Sequence, residues 1–197
     1  MNMSSKLALF RNRDLVVLVV LALAVLVTRS AQFASVFALP DATPAAFFVS
    51  GCQMASAWAM LPLFAAVTIA DQLAVANGVS DACMTPAYAF LVPAYAVLWS
   101  AGHGSRTFSA GASWSPRALT LLAAACVVAW SIANGSFYAF SGRYPQTAAA
   151  DYFGATLPYL APYLGWTIIY GALALLAIGP ERHYATGRRD PTAQKSN

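Results

Sequence analysis

Apolar residues in this chain come in long blocks, without the two-residue alternation of a half-buried strand or the one-sided stripe of a surface helix. Residues 15–27 are uninterrupted aliphatic sequence, and after Thr28, Arg29 and Ser30 the apolar character continues over residues 31–39. Pro40, Asp41 and Pro44 then mark a turn. Residues 45–76 are apolar for longer than one membrane crossing needs, with Pro62 near the middle, so two short helices that divide at about Pro62 are expected. Further blocks cover residues 86–100, 117–133 and 162–178. The pattern predicts six transmembrane helices. A Gly/Ser/basic loop (residues 101–116) and a long aromatic connection (residues 134–161) join the last three.

Composition sharpens this picture. Of 197 residues 59% are hydrophobic and 9% charged, against about 25% charged in soluble domains. The expected fold class is an all-α membrane protein, one six-helix domain over residues 1–197 with the lipid bilayer as its surroundings. Residues 15–27 run on without a small-residue cleavage site, so the first block is expected to stay as a span. Lys6, Arg11 and Arg13 precede the first block, and Arg182, Arg188, Arg189 and Lys195 follow the last. The positive-inside rule therefore puts the tails, residues 1–14 and 180–197, in the cytoplasm, which excludes a five-span alternative. The same rule places Arg106 and Arg117 inside and residues 71–82 and 134–161 outside. The net charge of +4 reports topology and does not point to nucleic acid.

Candidate chemistry gathers at the outer ends. The stretch N-G-V-S-D-A-C-M-T-P-A-Y, residues 77–88, carries Cys83 three residues before Pro86, a residue suited to a first helical turn. A thiol at a helix N-terminus is biased towards thiolate and is ligand-competent; the alternative is a small buried hydrophobe. Cys52 and Cys126 are too far away in sequence to form a C-x-x-C pair. Arg29 is either a headgroup-snorkelling residue or a pocket cation. Arg143, amid Phe137, Tyr138, Phe140 and Tyr144, belongs either to an interfacial aromatic belt or to a lid over a flat ligand. Asp71 is either a solvated carboxylate or a pocket acceptor, and Tyr88 is a further hydrogen-bonding candidate. Rows of small residues (Ser30, Ala34, Ala38; Ala55, Ala59) suggest ordinary close packing.

Other chemistries are excluded by content. His103 and His183 both fall on the cytoplasmic side, leaving no intramembrane bis-histidine haem. The chain has no G-x-S-x-G, H-E-x-x-H or phosphate-binding glycine loop, and no ATPase portion. Few ionisable residues lie within the spans away from the outer mouth, which argues against a proton relay across the bilayer.

Chain length, six short helices, the D-A-C-M-T-P stretch and the N-G-S-F-Y-A-F-S-G-R-Y connection together resemble the BtuM family. These are bacterial cobalamin transporters related to the S-components of energy-coupling factor transporters. The resemblance implies an S-component-like bundle in the inner membrane that binds cobalamin (vitamin B12) on the periplasmic side, with Cys83 as axial ligand to cobalt. It implies a solitary protein, with an energy-coupling factor module as a possible partner. A thiolate suits cobalt, and a flat corrin with amide rims suits aromatic and polar neighbours such as Tyr88, Asp71, Arg143, Tyr138, Phe137 and Arg29. Two alternatives stay open: an S-component for another vitamin or metal, and a membrane thiol enzyme that removes the upper axial ligand of cobalamin, since a thiolate donor below the cobalt labilises the ligand above.

Overall fold

A chain this apolar can satisfy its backbone in lipid only through helices or a closed barrel, and every regular element described is helical. The computed structural model describes residues 12–34, 39–81, 84–106 and 116–178. Helix α1 is Asn12–Ala34 and α2 is Thr43–Gln53; a 3-10 turn at Ala57–Ala59 leads into α3, Met60–Ala76. A second 3-10 turn, Pro86–Phe90, leads into α4, Leu91–Ser105, and α5 follows at Pro116–Phe140. Helix α6, Ala149–Thr156, passes through the 3-10 turn Leu157–Tyr159 into α7, Leu160–Ile178.

Three of these helices share one device. Pro62, Pro93 and Pro162 are each the third residue of an α-helix entered through a 3-10 turn. A proline at that position lacks only an N–H that had no intrahelical partner, while its ring clashes with the carbonyl four residues back. The α-ladder cannot extend further towards the N-terminus, so the preceding turn tightens into 3-10 geometry. This corrects the expected division at Pro62. The break lies at residues 54–56, with Met54 and Ser56 extended, and Pro62 sits inside the helix that follows.

Helix ends meet in alternation. Arg29 near the end of α1 pairs with Asp71 near the end of α3, and Phe90 stacks on Phe140 of α5 at 5.0 Å. At the opposite end Arg13 donates to Ile178 O at 2.9 Å, and Cys52 Sγ lies 3.3 Å from Ser105 Oγ. Successive helical segments thus run up and down between an Arg29 end and a Cys52 end. Helix α2 occupies the centre. All its residues but Cys52 are buried, and it packs on α1, α3, α4 and α7. A helix hidden on every side needs no polar face, and T-P-A-A-F-F-V-S-G-C-Q supplies none of its charged residues.

The tightest seam is α2 against α4. A Cβ at Gly51 would stand 2.1 Å from Trp99 O, and one at Gly102 would stand 2.0 Å from Phe48 O. Only hydrogens fit there, which lets the two backbones touch. The Ala55–Ala59 row expected from sequence does not make this contact, since Ala55 falls in the break after α2 and Gly51 and Gly102 take the role instead; Ala38 of the other row lies outside the described residues.

Among the described residues three helices are long and apolar enough to cross a bilayer: Ala57–Ala76, Arg117–Phe140 and Ala149–Ile178, with mean hydropathies of 1.7, 1.7 and 1.6. Helix α1 has the length but carries Arg13, Asp14 and Arg29. Helix α2, at 11 residues, is about 16 Å long, roughly half a hydrocarbon layer. The aromatic connection is also shorter than expected. Helix α5 continues to Phe140 and α6 begins at Ala149, so residues 134–140 are helical and only residues 141–148 form the turn.

Candidate ligand site at the Arg29 end of the bundle

Arg29 organises this end. Its Nε donates to Asp71 Oδ1 at 2.5 Å and its Nη2 to Asp71 Oδ2 at 2.9 Å. Its Nη1 donates to Asp41 Oδ2 at 2.8 Å and, more weakly, to Tyr95 Oη at 3.4 Å. A fork of two parallel bonds to one carboxylate is the strong geometry for a guanidinium. Asp71 also accepts the Tyr88 hydroxyl at 2.8 Å. Side-chain exposure is 14% for Arg29, 7% for Asp71 and 20% for Asp41. Five elements therefore meet in one polar knot: α1, the α1–α2 connection, α3, the Pro86–Phe90 turn and, through Tyr95, α4.

The negative charge of the knot is only partly offset. Two carboxylates face one guanidinium and the positive end of the α2 dipole. Asp41 Oδ1 accepts the Thr43 N–H at 2.8 Å, one of the donors that the first turn of α2 leaves free. Thr28 Oγ1 extends the network by donating to Ala24 O at 2.8 Å and accepting the Ala42 N–H at 3.1 Å. Among the described residues no three His, Cys, Asp or Glu side chains converge into a metal-binding group.

Two cavities are lined by charged members of the knot. One, of about 240 Å³, is lined by Arg29, Ala87, Tyr88, Leu91, Ala133, Asn134 and Phe137. The other, of about 280 Å³, has Asp41, Tyr95, Trp130, Tyr159 and Tyr163 among its walls and shares Leu91, Ala133 and Asn134 with the first. Aromatic rings (Tyr88, Phe137, Tyr95, Trp130, Tyr159 and Tyr163) share these walls with small aliphatic side chains, and the polar groups are few, a make-up compatible with an organic-ligand site.

Beside the cavities the end of α5 is tied to α6 by aromatic contacts. Tyr138 Oη donates to Thr147 O at 2.9 Å across the turn. The rings of Tyr138 and Tyr152 lie 5.1 Å apart, and those of Tyr144 and Tyr152 4.7 Å. Gly142 adopts a φ of 72° within this turn, a conformation that glycine reaches without strain.

The expected site residues therefore divide. Arg29, Asp71 and Tyr88 come together, and Phe137 lines the same cavity as Arg29 and Tyr88. Arg29 turns onto Asp71 and Asp41, and Asp71 is a buried helix residue, not a solvated loop carboxylate. Tyr138 is engaged in closing the turn. Arg143 is exposed in that turn, with its N–H donating to Ser141 Oγ at 3.3 Å. Cys83 lies outside the described residues; its neighbour Met84 donates its N–H to Asp81 O at 2.7 Å, and Pro86 opens the 3-10 turn as expected. Cys126 is fully buried in α5, and Cys52 sits at the far end of α2.

Sequence reading missed Asp41, Tyr95, Asn134, Tyr159 and Tyr163. Asp41 read as a turn residue. Tyr95 carried a usable signal, because it follows Tyr88 by seven residues, a spacing that returns to the same helical face. No protein-family model matches the chain, and neither does any curated protein.

Proposed function

We propose that the protein is a cobalamin uptake protein of the bacterial inner membrane, which binds the corrinoid at the Arg29 end with Cys83 as axial ligand to cobalt. The observation that supports this reading is the site itself: partly aromatic cavities beside a polar knot, with Tyr88, a knot residue, five residues after Cys83 in the chain. A flat ring with amide rims suits aromatic walls and a few fixed polar groups. The thiolate of Cys83 is a donor able to occupy an axial position on cobalt. Equilibrium binding of cobalamin to detergent-purified protein tests the proposal, and a protein that binds none overturns it.

The same proposal makes the Arg29 end periplasmic, the chain a six-pass protein with α2 as a short central pass, and both termini cytoplasmic. Basic residues at both tails and the alternating helix ends support this. Reporter fusions at Gln146 and Ser105 are expected to report periplasm and cytoplasm respectively. Both on one side, or the reverse, contradicts the topology and removes the site from the periplasm.

A further inference from the structure

We propose that the Arg29–Asp41 ion pair is a gate between the two cavities, one that opens by releasing Asp41 while Arg29 stays on Asp71. Arg29 lines the smaller cavity and Asp41 the larger, so the 2.8 Å bond between them joins a wall of one to a wall of the other, while Leu91, Ala133 and Asn134 line both. The two arms of Arg29 differ in kind. Towards Asp71 it makes a two-pronged contact with a carboxylate that is 7% exposed, itself held by Tyr88. Towards Asp41 it makes a single bond to a carboxylate that is 20% exposed.

A single, partly wet ion pair is the weaker contact, and a buried fork is the stronger. Asp41 keeps its hold on the first turn of α2 through Thr43 when Arg29 lets go. Opening therefore breaks one bond and leaves α2 capped. Size gives the opening a purpose. Each cavity is below the roughly 300 Å³ at which sites for drug-sized ligands begin, and joined they fall within the usual range. The gate stands whatever the ligand, and its test reads no ligand.

Ala129, 1% exposed, faces the larger cavity. The experiment places a reporter there as Ala129→Cys, in a background with Cys52→Ser, Cys83→Ser and Cys126→Ser. Its rate of reaction with a small cationic methanethiosulfonate is then measured on the full chain in detergent. Asp41→Asn is expected to raise that rate roughly fivefold, the scale of a partly exposed ion pair. Rising ionic strength is expected to raise it in the protein that retains Asp41, because salt screens such a pair; this arm needs no substitution at the gate. Ser50→Ala, which removes a buried hydrogen bond within α2, is expected to leave the rate unchanged. A rate insensitive to both Asp41→Asn and salt overturns the gate, and so does an equal rise in Ser50→Ala, which would mark general loosening of α2.

Discussion

Gly102→Ala is expected to destabilise the bundle by about 3 kcal/mol, the upper end of what overpacking a core costs. The new methyl carbon would stand 2.0 Å from Phe48 O and 2.9 Å from Phe48 C. Both are backbone atoms of the central helix, so no rotamer change relieves the clash and α2 must move away from α4. Helix α2 carries Phe47, Phe48 and Val49, all essentially without exposed surface, and their contacts loosen together. Gly51→Ala is expected to act the same way against Trp99 O. Gly104→Ala is the control: its Cβ meets nothing within 4 Å, and alanine is the better helix former by roughly 1 kcal/mol. Thermal unfolding in detergent measures all three. Equal melting temperatures for Gly102→Ala and Gly104→Ala would contradict the close α2–α4 seam.

Asp71→Ala is expected to cost about 3 to 5 kcal/mol, the range for removing one partner of a buried ion pair. Arg29 would lose both prongs of its strongest contact and keep only Asp41 and a long bond to Tyr95. The Tyr88 hydroxyl would lose its acceptor at the same time. Two polar groups in low-dielectric surroundings are then under-satisfied, and that penalty dominates over the value of the pair itself. The paired replacement Arg29→Met with Asp71→Leu is therefore expected to recover much of the loss. A melting curve for Asp71→Ala that matches the unsubstituted protein would mean that the knot contributes little.

Among the described residues the expected blocks are helical for most of their length, with residues 35–38 of the first block outside the description, because block length and apolarity are direct statements about lipid solubility, which single residues already carry. The break after α2 was not legible, because Pro62 signals a helix start as readily as a helix end. Only the carbonyl four residues upstream decides between them, and its position depends on the preceding turn. The aromatic connection misled for a related reason. Asn134 and Gly135 are turn-prone residues, yet packing of Phe140 on Phe90 and Asn134 Nδ2 donating to Trp130 O carry α5 about two turns further. Tertiary contact outweighed local propensity there. Arg29 and Asp71 stood out because charges in apolar blocks are rare, and rarity in lipid signals a partner. Their pairing with each other, across 42 residues of chain, depends on how α1 and α3 pack, which neither sequence stretch records. Gly51 and Gly102 gave no signal at all, since each needs the other helix to become indispensable.

The measurement that bears most directly on the proposed function is the visible absorption spectrum of cobalamin bound to the purified protein and to its Cys83→Ser variant. With a thiolate in the lower axial position, the bound spectrum is expected to differ from that of the free vitamin. Cys83→Ser replaces soft sulfur by a hard hydroxyl, so its spectrum is expected to revert towards the free form, with a loss of affinity. Cys52→Ser and Cys126→Ser are expected to leave both spectrum and affinity as they are, since one residue lies at the far end of α2 and the other inside α5. A Cys83→Ser protein that binds cobalamin with unaltered spectrum and affinity would contradict the account.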